Sequence, residues 1–131
     1  YIAEAKFLRA YYYFDLVRWF KNIPLITAPI PTDQIYNQPQ ASPDSIYMQI
    51  ENDLKEAIPN LPATVAIPAE GGRVTKGAAE ALLGKVILWE AGPDDNSRMQ
   101  EAAQYLDEVN YSGVYHLLPN YGDIFSPDNK F

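Results

Sequence analysis

The sequence predicts an all-α fold: two stacked helix hairpins of the tetratricopeptide type, joined by long loops. Three observations lead there. Four stretches carry helical periodicity with recognisable starts or stops. The first and third are apolar on most sides, while the second and fourth each have one polar face, which gives an inner, outer, inner, outer order. Finally, Ala5, Leu8, Ala10 and Tyr12 align with Ala79, Leu82, Gly84 and Val86 at a constant offset of 74 residues. That period far exceeds the ~34 residues of a standard repeat, because a long loop separates the members of the first pair.

The first helix spans about Tyr1 to Phe20, with no Gly or Pro inside. Its charged residues, Glu4, Lys6, Arg9, Asp15 and Arg18, scatter around the wheel, so protein is expected on nearly every side. Asn22-Ile23-Pro24 ends it, since Pro24 removes a donor and pushes Ile23 out of the helical region. Ile23 to Pro31 reads as extended chain and Thr32 to Ala41 as polar loop.

The second helix, about 43 to 58, starts at the N-cap Ser42 with Pro43 in the first position and Asp44 at the positive dipole end. Ile46, Ile50, Leu54 and Ala57 form its apolar stripe; Asp44, Glu51 and Lys55 lie on another face. Pro59 closes it, and Asn60 to Arg73 is a long loop. The third helix, about 75 to 91, begins at the N-cap Thr75 and stops at Gly92-Pro93. Gly77, Ala78, Ala81 and Gly84 permit close helix approach. Gly84 costs about 1 kcal/mol against Ala in a helix interior, so tight packing is its justification.

The fourth helix, about 97 to 111, gathers Met99, Ala102, Ala103, Leu106 and Val109 on one side. The short turn from Gly92 to Asn96 makes it antiparallel to the third. Val114 to Leu118 reads as a short extended segment before an aromatic loop with Tyr121 and Phe125. Tyr1 lies inside a helical pattern, and Phe131 follows the turn-like Ser126-Pro127-Asp128-Asn129. The chain is therefore expected to be an internal piece of a longer one.

The 131 residues carry a formal net charge of −7 without any basic run, which disfavours nucleic acid and anionic membrane surfaces. There is no Cys, so disulfides, a Cys-ligated zinc site and a thiol nucleophile are excluded. No apolar stretch reaches the ~18 residues that span a bilayer.

The first helix and its exit form a specific segment: Ala3-Glu4-Ala5-Lys6-Phe7-Leu8-Arg9-Ala10-Tyr11-Tyr12-Tyr13-Phe14-Asp15-Leu16-Val17-Arg18, then Ile23-Pro24-Leu25. It resembles the signature of the SusD/RagB-like proteins of the Bacteroidota. Ser42-Pro43-Asp44-Ser45-Ile46-Tyr47 with Asp53-Leu54, Gly72-Arg73-Val74-Thr75-Lys76-Gly77-Ala78-Ala79, and Ser112-Gly113-Val114-Tyr115 with Asn120-Tyr121-Gly122-Asp123-Ile124-Phe125 match the family in order. The family often has a Gly in the first exit turn; Lys21-Asn22 stands here, and Asn22 is expected to tolerate the left-handed conformation.

The resemblance implies that residues 1 to 131 are a fragment of a single SusD-like domain. It implies a surface-exposed protein of the outer membrane, held only by an N-terminal lipid anchor outside this stretch. It further implies an oligosaccharide or polysaccharide ligand, with a SusC-like TonB-dependent transporter as partner and the protein as its lid. No cofactor, metal or enzymatic activity is expected. The alternative is a helical-repeat scaffold that binds protein and not sugar.

The residues themselves offer little catalytic chemistry. His116 is the single histidine and has no adjacent carboxylate, so it reads as a packed or surface residue. Asp94-Asp95-Asn96 sits where a helix needs a cap, which outweighs a calcium reading that could include Asp123. Gly71-Gly72-Arg73 lacks the rest of a phosphate loop and reads as a turn. Tyr11, Tyr12, Tyr13, Phe14, Trp19 and Trp89 lie on helices expected to be buried, so packing explains them; the loop rings Tyr36 and Tyr121 are freer to stack on a sugar. No carbohydrate-contacting residue is assigned.

Overall fold

The helical periodicity is realised as α1 (Ile2–Phe20), α2 (Pro43–Ala57), α3 (Lys76–Ala91) and α4 (Asn96–Asn110). The computed structural model describes residues 1–66 and 69–126, so most of the turn expected at 126–129 lies outside the described residues. Three helix starts are capped as their sequences require. Ser42 Oγ accepts from Ser45 N at 3.3 Å, Thr75 Oγ1 from Ala78 N at 3.4 Å, and Asp95 Oδ1 from Ser97 N and Arg98 N at 3.2 and 3.1 Å.

The exit of α1 departs from expectation. The positive φ falls on Lys21 (φ 60°), whose N–H donates to Val17 O at 2.9 Å, and not on Asn22. The chain must reverse at the first residue past the helix to lay Ile23 into the core, which leaves Asn22 no such role. Beyond it, β1 (Ile23–Pro24) pairs antiparallel with β2 (Gln40–Ala41), closing a loop that contains a 3-10 turn at Thr32–Asn37. Tyr13 Oη accepts from Ile26 N at 2.7 Å and ties this segment back to α1. Val114 to Leu118 carries neither helix nor strand.

Side-chain pairings define the packing. Lys6 meets Glu56, Arg9 meets Asp53 and Phe14 meets Tyr47, so α1 and α2 are antiparallel. Arg98 meets Glu90, while Gly84 faces Ala102 and Leu106, so α3 and α4 are antiparallel as well. Phe14 against Trp89 and Glu4 against Arg73 set α1 and α3 parallel, as in successive repeats. The predicted stripe of Ile46, Ile50, Leu54 and Ala57 is fully buried and merges with Phe14, Val17, Leu83, Val86, Ile87 and Ala102 in one core.

Two expectations about layers are corrected. Helix α2 keeps a wet face at Asp44, Met48, Asn52, Lys55 and Glu56, but it is not an outer helix, since it packs against both α1 and α3. Its acids Glu51 and Asp53 are buried, and they are tolerated because each is paired. Helix α1 is not surrounded by protein: Leu8, Tyr12, Leu16 and Trp19 are exposed, whereas Leu82 and Val86 on α3, the counterparts of Leu8 and Tyr12, are half-buried and buried. The reason is position, since α3 is flanked by α2 and α4 while α1 packs mainly on α2. Within α4, Ala102 is buried but Ala103 is exposed, so its apolar face is narrower than the pattern suggested.

Arg9 holds Asp53 with both ends of its guanidinium, Nε to Oδ2 at 2.7 Å and Nη2 to Oδ1 at 2.6 Å. Gln49 Nε2 adds a third donor at 3.1 Å, and Arg9 Nη1 also reaches Thr27 O at 3.2 Å. Replacing Arg9 by Met strands a buried carboxylate. Arg9→Met is expected to destabilise the protein by about 3 kcal/mol, read as a lower urea midpoint at unchanged slope. Gly84→Ala is expected to destabilise as well, although Ala is the better helix former by about 1 kcal/mol. The added Cβ would stand 2.8 Å from Leu106 Cγ and 3.2 Å from Ala102 O. A net loss of roughly 1–2 kcal/mol in the same unfolding measurement is the expected outcome.

Candidate functional site

The first turn of α3 and the last turn of α4 lie side by side, and the chain after α4 folds across them. Small side chains make this possible. Gly77 leaves room for Tyr115, whose Cε2 and Cζ would lie 2.5 and 2.9 Å from a Cβ built there. Tyr115 Oη and Thr75 Oγ1 share a hydrogen bond of 2.9 Å, so the same threonine caps α3 and anchors the loop. The result is an open cleft of about 580 Å³ lined by Lys76, Glu80, Glu108, Tyr111, Ser112 and Tyr115, among others.

Its electrostatics come from two carboxylates and one ammonium. Glu80 is buried on α3, and Lys76, one turn earlier, places its Nζ 3.0 Å from Glu80 Oε1. Burial pushes the Glu80 carboxyl above the ordinary carboxylate range, and the neighbouring Glu108 adds to the rise; Lys76 opposes both. Lys76 is pushed up by its hydrogen bond to Glu80. Tyr111 stands exposed at the rim. Two acceptors, one donor and an exposed ring suit hydroxyl recognition, with the ring available for stacking.

A second polar cluster lies between α2, α3 and α4. Arg98 contacts Glu51 and Glu101 and lies 2.7 Å from Glu90. Lys55 bridges Glu51 at 2.9 Å and Glu101 at 3.1 Å. Burial acts to raise Glu51, yet the hydrogen bonds from Arg98 and Lys55 outweigh it and hold this carboxyl below its usual range. For Glu90 burial wins, helped by Glu51, and its carboxyl is raised. This cluster clamps three helices.

The residues singled out in the sequence fall as follows. His116 is exposed, in the loop after α4. Asp95 is a helix cap. Gly71-Gly72-Arg73 is structural: Gly72 has φ 89°, and Arg73 donates to Glu4 at 2.8 and 3.1 Å, tying the loop to the start of α1. Asp123 accepts from Asn120 Nδ2 at 3.1 Å. Tyr36 and Tyr121 are both exposed, and Tyr121 packs edge-on against Phe125 at 5.4 Å. Tyr13 and Phe14 pack inward as expected, but Tyr11, Tyr12, Trp19 and Trp89 are exposed, which corrects the packing account for those four. No group of three or more metal-ligating side chains converges among the described residues.

Sequence reasoning missed Glu80 and Glu108. The available signal was Lys76 four residues before Glu80 on a helix that is otherwise apolar. Nothing local pointed to Glu108, because its approach to Glu80 depends on how α4 folds back.

The pH behaviour of Glu80 follows from its raised carboxyl. The fold favours the protonated form, so the penalty of burying the charge is absent in acid and grows as pH rises through the folded-state value. Glu80→Gln is therefore expected to raise the melting temperature at pH 7 and to leave it unchanged below about pH 4, where the unfolded carboxyl is also protonated. Parallel thermal melts across that range provide the measurement.

Known proteins share this architecture. A family model described as SusD-like, "Starch-binding associating with outer membrane", matches residues 1–88. A SusD-like protein of Bacteroides ovatus is 31% identical over 134 residues, spanning 98% of this chain and 24% of the relative. A solved laminarin binding SusD-like protein is 43% identical with a TM-score of 0.85, covering 98% of this chain and 28% of that one. A structure solved with xylogluco-oligosaccharide is 29% identical with a TM-score of 0.78, covering 98% of this chain and 26% of that one. The chain thus spans about a quarter of the length of these proteins.

Proposed function

Because the chain belongs to the SusD-like family, we propose that the protein carrying it binds glycan at the outer-membrane surface and delivers it to a TonB-dependent transporter. Residues 1–131 act as part of a single SusD-like domain, the helical platform on which the rest is built. A lipid anchor outside this stretch holds the protein to the membrane, and a SusC-like barrel is the partner that it covers as a lid. The chemistry is binding alone, without cofactor or bond cleavage.

The observation that carries the reading is the likeness to the laminarin binding protein over 98% of the chain. The structure solved with xylogluco-oligosaccharide supports the same ligand class. The cleft beside Glu80, Glu108 and Tyr111 has hydroxyl-binding groups, and its open shape suits a chain that passes through it. A net charge of −7 also fits a neutral glycan better than an anionic ligand.

Isothermal titration of the full-length protein against laminarin, xylogluco-oligosaccharides and a wider polysaccharide panel tests this. Saturable binding to at least one class is expected, with the glycan recovered at unchanged chain length. Failure to bind any class would favour the protein-binding scaffold, and shortened glycan would establish an enzyme.

A further inference from the structure

The contact between the start of α3 and the end of α4 gathers more negative charge than the cation beside it can balance. Glu80, only 3% exposed, and Glu108, exposed on α4, line one cleft and stand close enough to share a hydrogen bond. Such a bond needs a proton on one of the two groups, since carboxylates only accept. Burial disfavours charge at Glu80, whereas water solvates Glu108, so the proton belongs to Glu80. Among the residues lining the cleft, the other ionisable groups are Lys76, one turn earlier on α3, and the phenols Tyr111 and Tyr115 of the segment after α4; the loop before α3 contributes Ala63. Lys76 Nζ lies 3.0 Å from Glu80 Oε1 and neutralises one carboxylate, not two.

The end of α4 is ill suited to a further negative charge nearby. Its last turn carries Asp107 and Glu108 and no basic residue, so both acids already sit at the negative end of the helix dipole. The segment that follows is lightly held. Residues 111–118 are all exposed. Ser112 Oγ donates to Val109 O at 2.8 Å and accepts from Val114 N at 3.1 Å, and both bonds stay within the segment and the end of α4. Its side-chain tie to α3 is the 2.9 Å hydrogen bond between Tyr115 and Thr75, with the Tyr115 ring in the space left by Gly77. A helix end and a strap with so few buried contacts belong to the low-stability end of a fold.

We propose that Glu80 and Glu108 form a proton-operated latch between α3 and the segment after α4. With a proton between them, the last turn of α4 and residues 111–115 lie closed on α3. Without it the two carboxylates repel, the last turn of α4 frays, and the strap lifts from Thr75 and Gly77, which widens the cleft. The direction follows from where the proton sits. Burial, and then Glu108, raise the Glu80 carboxyl above its unfolded value, while Lys76 opposes them. The latch is therefore shut in acid and opens as pH rises through the folded-state value, which lies above about pH 4. The inference concerns the contact between α3 and α4 alone and is independent of glycan binding.

Hydrogen–deuterium exchange of the full-length protein, read by mass spectrometry and corrected for the intrinsic pH dependence of amide exchange, tests the latch. In peptides covering residues 105–116, protection is expected to fall roughly tenfold between about pH 4.5 and about pH 8, while peptides from α2 keep theirs. Glu80→Gln is expected to keep residues 105–116 protected throughout, because its amide donates to Glu108 without a charge of its own. Glu108→Gln, at an exposed position, is expected to remove the same pH dependence. Equal wild-type protection at both pH values overturns the proposal. So does a pH dependence that persists in either variant, which would place the titrating group elsewhere. A parallel loss of protection in the α2 peptides would show loosening of the whole fold and overturn it equally.

Discussion

The ion pair between Arg9 and Asp53 is the constraint on which the arrangement of helices rests. Asp53 is almost wholly buried, and a lone carboxylate there would cost several kcal/mol. Only one register of α1 against α2 lets a guanidinium meet it with two parallel bonds. That register brings Phe14 to Tyr47 and Lys6 to Glu56, and it brings Arg9 close enough to hold Thr27 in the segment after α1. Apolar contacts supply most of the cohesion, but they are non-directional and would accept neighbouring registers. The pair discriminates among them.

The same logic extends through α2 to the second hairpin. Glu51 lies on the side of α2 away from the Arg9 contact and engages Arg98 and Lys55. A helix that bears buried acids toward two neighbours must be central, because each acid requires a cation from a different element. This explains why α2 joins the hairpins although one of its faces is wet. The close approach of α3 and α4 rests on a complementary device, the absence of a side chain at Gly84, into whose place Leu106 packs.

The relatives are longer proteins, of which this chain matches about a quarter. A binding surface made of loops needs a rigid base, and helices that pack on more than one side are stiffer bases than helices with one wet face.

Helix positions, their caps and the central stripe were legible in the sequence, because each depends on neighbours within a few residues. Ser42, Thr75 and Asp95 act on the next turn, and Ile46, Ile50, Leu54 and Ala57 repeat at the helical period. The small residue at Gly84 announced a close contact before its partner was known. Tertiary structure alone decided what those faces meet. That Asp53 finds Arg9, that Glu80 stands beside Glu108, that α2 is central, and that Leu8 and Tyr12 stay exposed all depend on contacts between distant segments. Periodicity states that a face is apolar, whereas burial is a property of the partner that covers it.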